Sequence, residues 1–229
     1  MASSSIPPAA HGPAGAAASV PTMTGGRTLL FAVAGGAAVG NLYWAQPLLE
    51  EIADSLGVPA SVAGLLVTVT QIGYAVGIFL LVPLGDLLNR RRLIPTVLGA
   101  SGLALAGAAA APGWMFLFAA LLLVGLTAVG AQLLIPLASE LADPAERGRV
   151  VGTIASGVLV GILLSRTISG IVADLFGWRA IYVVAVIAAW VLAIVLARVI
   201  PALPARPAMP YPPLLRPGSS ASTPPPAAA

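Results

Sequence analysis

Long apolar stretches separated by short polar breaks form the dominant pattern along this chain. Six of the stretches are each close to the ~20 residues that a helix needs to cross the hydrocarbon core of a bilayer. The predicted spans are residues 28–49, 60–84, 93–111, 114–138, 150–173 and 178–200. Because the connections are short, neighbouring helices are expected to run antiparallel. The pattern predicts an all-α membrane protein with six transmembrane helices, occupying residues 28–200.

The two ends of the chain lack this pattern. Residues 1–27 are mostly Ala, Ser, Gly and Pro, with neither a basic segment nor a continuous apolar run, which predicts a disordered N-terminal tail rather than a signal peptide. Residues 201–229 are so rich in Pro and Ala that no further helix is expected. We therefore expect two tails around one six-helix domain.

Arginine placement predicts the orientation of the helices. The segment PLGDLLNRRR, residues 83–92, cannot lie in hydrocarbon, because a charge at the bilayer centre costs roughly 3 kcal/mol. Short Arg-rich loops stay in the cytoplasm, so this loop predicts that both tails are cytoplasmic. With that orientation, Arg179 is the sole arginine in an outside loop, and the inside arginines are Arg27, Arg90, Arg91, Arg92, Arg147, Arg149, Arg198, Arg206 and Arg216.

Composition supports a bilayer partner and argues against several other classes. Only 8% of the 229 residues are charged, against about 25% in soluble domains. The net charge of +3 comes from loop arginines, so we expect no nucleic-acid partner. There is no Cys, and the single histidine, His11, lies in the N-terminal tail, so we expect no metal site and no cofactor.

Polar side chains recur within the predicted spans. Residues three apart share a helix face, so Tyr43 and Gln46 are expected to face one way. One interpretation places these polar groups on a cavity or on the bundle interior. The other makes Tyr43 and Trp44 part of an aromatic belt at the membrane interface. The candidate pathway residues are Asn41, Tyr43, Gln46, Gln71, Tyr74, Gln132 and Arg166.

The fifth span carries a stripe of small residues and one charged residue, Arg166, at membrane depth. The small residues recur every four positions, which predicts a groove that holds another helix: Thr153, Gly157, Gly161, Ser165, Ser169 and Ala173. Arg166 lies beside this stripe. It either faces a cavity, binding an anionic or polar solute or pairing with a gating carboxylate, or reaches outward to water or to Asp174, Glu50 or Glu51 and fixes two helix ends.

The loop at residues 83–92 resembles a signature of the major facilitator superfamily, G-x-L-A-D-R-x-G-R-R. Leu84, Asp86, Arg90 and Arg91 match it, whereas its first Gly, its Ala, its first basic residue and its second Gly are replaced by Val82, Gly85, Leu87 and Asn89. The resemblance implies a gating loop in which charges on one face form a latch that breaks as two halves rock. Its candidate residues are Asp86, Arg90, Arg91 and Arg92.

The fifth span is similar to the antiporter signature G-x-x-x-G-P-x-x-G-G of that family. Arg166 stands where the signature has Pro, and Ser165 and Ser169 stand where Gly is usual. The resemblance adds Gly170 to the helix-packing groove, whose candidates are Gly157, Gly161, Ser165, Ser169 and Gly170. Several motifs in order resemble one bacterial subgroup of proton-coupled efflux permeases, which implies the bacterial plasma membrane.

The resemblance also implies an architecture and a function. Family members have two six-helix halves, each made of two inverted three-helix repeats, with the solute site between the halves. The chain resembles the N-terminal half. The resemblance implies alternating-access transport of a small solute, of drug or metabolite type, coupled to protons. It also implies a second six-helix half or a second copy of the chain as partner. A coupling carboxylate is expected in the other half, or at Glu50 or Glu51.

Two other functions are compatible with parts of the sequence. The chain could be a truncated, non-transporting remnant or a membrane scaffold that lacks the second half. An intramembrane serine protease is suggested by Gly99-Ala100-Ser101-Gly102, but such an enzyme needs a histidine base near the serine, and His11 lies in the tail. We therefore expect no enzymatic activity.

Overall fold

The computed structural model describes residues 23–201, and every regular element among them is helical. A single 3-10 turn, Gln46–Leu48, separates the first two α-helices. The helices are α1 (Gly25–Gly40), α2 (Leu49–Leu56), α3 (Ala60–Leu87), α4 (Arg90–Ala109), α5 (Trp114–Thr127), α6 (Gly130–Leu141), α7 (Arg147–Phe176) and α8 (Trp178–Val199). The two predicted tails lie almost wholly outside the described residues.

Within residues 23–201, five helical segments are long and apolar enough to cross a membrane: α3, α4, the stretch Trp114–Leu141 formed by α5 and α6, α7 and α8. The first predicted span differs, because α1 has only 16 residues and the chain then continues through turns to the 3-10 turn. Pro47 lies in that turn and has no backbone N–H to donate to a longer helix. The all-α membrane fold is confirmed, with the first span as a helix followed by turns.

The fourth predicted span is interrupted rather than continuous. Between α5 and α6, Ala128 and Val129 leave the helical conformation. The hydroxyl of Thr127 donates to the carbonyl oxygen of Leu123 at 2.8 Å and also lies 3.2 Å from that of Val124. Gly130 then begins α6 next to Ala38 of α1, where a side chain would not fit. The interruption allows α6 to pack closely against α1.

Helix pairing follows the symmetry expected of two inverted three-helix repeats. The most extensive helix contacts are α1 with α7, α3 with α5, and α4 with α8. In terms of spans, these are the first with the fifth, the second with the fourth, and the third with the sixth. Exchanging spans one and four, two and five, and three and six reproduces the same set of pairs, as a pseudo-two-fold axis requires.

Glycines make the two equivalent crossings close. Gly36 of α1 meets Gly157 and Gly161 of α7, and a Cβ at any of these positions would lie less than 3.0 Å from a backbone atom of the partner helix. At the α3–α5 crossing, Gly125 of α5 meets α3, and Gly73 of α3 meets α5 in the same way. Each crossing therefore combines a glycine of one helix with a Gly-x-x-x-Gly pair of the other. The second pair is Gly73 and Gly77, which lie against the backbone of Leu122 and Leu126.

The middle of the predicted groove on α7 faces α1, whereas Thr153 is exposed and Gly170 does not belong to the groove. Gly157, Gly161 and Ser165 lie against α1, and the hydroxyl of Ser169 donates to the carbonyl oxygen of Trp44 at 2.7 Å. Gly170 was predicted to belong to the groove, but a Cβ there would meet no described atom within 4 Å. The reason is helix geometry, since Gly170 lies one residue, about 100°, away from the four-residue stripe.

Candidate functional site

Five polar side chains from the α1–α2 connection, α3, α6 and α7 come together on one face of the bundle. Arg166 donates from Nη2 to Oε1 of Gln46 at 2.6 Å, and its guanidinium carbon lies 5.6 Å from the centre of the Tyr43 ring. On the same face, Nε2 of Gln132 donates to the hydroxyl of Tyr74. Tyr43 and Tyr74 pack against one shared apolar cluster. We call Gln46, Tyr43, Arg166, Tyr74 and Gln132 the polar row.

Local backbone contacts position the first part of the polar row. In the turns after α1, the backbone N–H of Gln46 donates to the carbonyl oxygen of Tyr43 at 3.2 Å. The hydrogen bond from Ser169 to Trp44 holds these turns against α7. Tyr43 and Gln46 therefore lie alongside Arg166. Gln71 is half-buried, one turn before Tyr74 on α3, and makes no side-chain hydrogen bond to the residues that the structure describes.

Asn41 was predicted to line the pathway, but the structure places it elsewhere. Its side chain is buried, accepts from Nε1 of Trp44 at 2.8 Å and lies 3.4 Å from the hydroxyl of Ser101 on α4. It borders a cavity of about 20 Å³ between α1, α4 and α8. Turns after α1 direct Asn41 toward α4 and Tyr43 toward α7, so Asn41 joins helices rather than the polar row. Ser101, central to the protease-like string, is buried in the same contact.

At one end of the bundle, Arg90 joins three helices, and we call this the Arg90 end. Its guanidinium donates to the carbonyl oxygen of Gly85 at 2.8 Å, to Asp86 at 2.7 Å and to Glu140 at 3.0 Å. The Arg90 side chain is 8% exposed, whereas Arg91 and Arg92 are exposed and make no ion pair with the described residues. Of the predicted gating residues, Asp86 and Arg90 therefore bond within this chain.

At the opposite end, a set of contacts that the sequence did not predict joins α2 to α8. Glu51 accepts through Oε1 from the backbone N–H of Trp178 at 2.9 Å, at the start of α8. The indole of Trp178 donates to the hydroxyl of Ser55 at 2.7 Å, and Arg179 lies 4.2 Å above the Trp178 ring. A carboxylate stabilises the positive end of a helix dipole. In the sequence, the only signals for this contact were the acidic residues around Glu51 and the start of a predicted helix at Trp178.

These contacts bear on the alternatives for Arg166. Its predicted structural partners were Asp174, Glu50 and Glu51, but no carboxylate among residues 23–201 lies within 4.0 Å of its guanidinium nitrogens. Glu51 is instead bonded to Trp178. The Arg166 side chain is exposed and bonded to a neutral amide. In this structure Arg166 belongs to the polar row.

Comparisons with known proteins agree with this architecture. The family model described as Major Facilitator Superfamily matches residues 29–225. The uncharacterized transporter YgaY of Escherichia coli is 46% identical over 189 residues, which cover 82% of this chain and 48% of that protein. The "Probable transporter SCO4007" of Streptomyces coelicolor is 36% identical over 194 residues, covering 85% of this chain and 44% of that protein.

A more distant relative is the inner membrane transport protein YnfM of Escherichia coli, 26% identical over 153 residues, or 66% of this chain and 37% of that protein. The chain spans about half the length of the two nearer relatives described above. The family model covers most of the chain, and the match includes the helices that carry the polar row and the Arg90 end. This chain is a multi-pass membrane protein and belongs to the Major Facilitator Superfamily of transporters.

Proposed function

We propose that this chain forms one wall of an alternating-access pathway that exports a small solute of drug or metabolite type. The polar row is the observation that carries the proposal, because it gathers five polar side chains from the α1–α2 connection, α3, α6 and α7 on one face of the bundle. A second six-helix unit, either a second copy or another chain, completes the pathway. The arginine distribution supports placing the Arg90 end in the cytoplasm.

Membrane energetics support a watery environment for the polar row. An arginine near the bilayer centre costs roughly 3 kcal/mol or more when it faces lipid, so such residues face a cavity or a partner. Arg166 is exposed in the described part of the chain, and its neighbour Tyr43 packs against the same apolar cluster as Tyr74. The face formed by α1, α3, α6 and α7 is therefore the one that we assign to the pathway.

The Arg90 end supports a rocking movement of the whole half. Arg90 bonds to groups on α3 and α6 while lying on α4, so the ends of these helices move together. The Asp86 side chain is 67% exposed despite this bond. We assign Asp86, Arg91 and Arg92 to contacts with the second half, which form and break as the halves rock. Ion pairs at a water boundary are worth at most about 1 kcal/mol each, which permits switching.

Proton coupling is assigned to a carboxylate outside the polar row. The row contains no acid, and the carboxylates within residues 23–201 lie in α2 or near helix ends. Glu51 is bonded to the start of α8. Glu50 is exposed and lies four residues beyond Gln46. We therefore place the coupling carboxylate at Glu50 or in the second half.

Substituting Tyr74 with phenylalanine tests the assignment of the pathway. The change removes the hydroxyl that accepts from Gln132, so we expect solute flux to fall at least fivefold while folding is retained. Uptake of carboxyfluorescein, an anion, and of ethidium, a cation, would be measured in inside-out vesicles. Tyr182→Phe is the matched control, because the buried Tyr182 hydroxyl has no hydrogen-bond partner among the described residues. Uptake of neither dye above empty vesicles, or equal flux in both variants, would contradict the proposed function.

A further inference from the structure

The guanidinium of Arg166 has more donors than residues 23–201 use. Arginine carries five N–H donors in a planar fork that suits bidentate pairing with a carboxylate or phosphate. In the described residues one of its nitrogens, Nη2, donates to Gln46, and the remaining contact is with the Tyr43 ring. The side chain is exposed. Gln46 thus positions the guanidinium while leaving most of its donors open to the face of the polar row.

The positive charge of Arg166 is not balanced by a neighbouring acid. No carboxylate of residues 23–201 lies within 4.0 Å of its nitrogens. Asp174 lies eight residues further along α7, a rise of about 12 Å at 1.5 Å per residue. A solute at the polar row therefore meets a net positive site.

The face of Tyr43 does not offset this preference. An aromatic face attracts cations, and a site that exports cations would benefit from a free one. The Tyr43 ring is already in cation–π contact with the guanidinium of Arg166. A cationic solute would have to displace Arg166 and would also be repelled by it.

Gln132 adds a hydrogen-bond acceptor to the same face. Its Oε1 atom is buried and has no hydrogen-bond partner in the described part of the chain, whereas its Nε2 is bonded to Tyr74. An unsatisfied buried acceptor favours a ligand that brings an N–H or O–H group. We infer that the polar row selects an organic anion with a planar carboxylate group. The anion also carries an N–H or O–H group that donates to Gln132. This inference rests on the proposed function, because it names the solute of the same site.

Three solutes of nearly equal shape test the charge preference: benzoate, benzamide and benzamidinium. The full chain in lipid nanodiscs would be titrated with each at constant ionic strength, and ligand-dependent shifts in Tm would be measured. We expect benzoate to bind at least tenfold more tightly than benzamidinium. We expect Arg166→Gln to remove the benzoate preference, Arg166→Lys to keep part of it, and the matched control Arg198→Gln to leave it unchanged, since Arg198 is an exposed arginine at the end of α8.

Stronger binding of benzamidinium, no binding of benzoate, or a benzoate preference that survives Arg166→Gln would each overturn the anion assignment. The dye measurement separates this failure from failure of the proposed function. Uptake of ethidium but not of carboxyfluorescein would retain the transport pathway and reject the anion preference. Uptake of carboxyfluorescein that depends on Arg166 would support both.

Discussion

Substitution of Gly161 by alanine is expected to disrupt the packing of α1 on α7. A Cβ at Gly161 would lie less than 3.0 Å from backbone atoms of Gly36, and backbone atoms cannot move aside as a flexible side chain can. Overpacking of this kind costs about 3 kcal/mol, and in lipid no hydrophobic drive between helices compensates for it. We expect Tm of the purified protein to fall by roughly 10 °C, or the protein to fail to fold.

Gly170→Ala is the matched control on the same helix. A Cβ at Gly170 would meet no described atom within 4 Å, and alanine favours helix more than glycine does by about 1 kcal/mol. We expect its Tm to be unchanged or slightly raised, as measured by thermal unfolding in the same detergent. Equal losses of stability in both variants would show that the close crossing at Gly36 is not what holds α1 against α7.

Loss of the Arg90 side chain is expected to give the second large effect. Arg90→Ala removes three hydrogen bonds that join the ends of α3, α4 and α6. Removing one partner of a buried ion pair costs 3–5 kcal/mol, but Glu140 and Asp86 are partly exposed here, so we expect about 2 kcal/mol. The measurement is chemical or thermal unfolding, with an expected fall in Tm of roughly 6 °C.

Arg91→Ala is the control for this prediction. Arg91 is the next residue in the chain, has the same charge, and is exposed without an ion pair in residues 23–201. We expect its stability to remain within about 0.5 kcal/mol of the unsubstituted protein. If Arg91→Ala were as destabilising as Arg90→Ala, the effect would arise from net charge at this end and not from the buried contacts of Arg90.

The sequence was most informative where hydrocarbon imposes strict rules. Apolar stretches of membrane-spanning length predicted the all-α membrane fold, and the small-residue stripe on the fifth span predicted that another helix lies in it. At the equivalent crossing, Gly73 and Gly77 of the second span lie against the backbone of α5, and Gly125 of α5 lies against the backbone of α3. Both crossings therefore depend on the same feature, which is the close approach of two helix backbones at glycines.

The sequence was less informative where the direction of a side chain depends on a break in a helix. Asn41 and Tyr43 are two residues apart, but the turns after α1 send one side chain to α4 and the other to α7. The interruption between α5 and α6 lies within an apolar run, so hydropathy carries no sign of it. The bond between Glu51 and Trp178 joins residues 127 positions apart, and only the packed structure brings them together.

The proposed pathway requires that the polar row face water while the exposed apolar side chains of the helices face lipid. Because the chain contains no Cys, a single introduced thiol can be labelled without background. Gln46→Cys and Gln132→Cys would be compared with Phe79→Cys and Leu164→Cys, whose parent side chains are exposed and apolar on α3 and α7. Leu164 lies about 200° around α7 from Arg166, on the other side of the helix. The measurement is the rate of reaction with a charged maleimide in native membranes. We predict at least tenfold faster labelling at Gln46 and Gln132, and equal or slower labelling at these two positions would contradict the account.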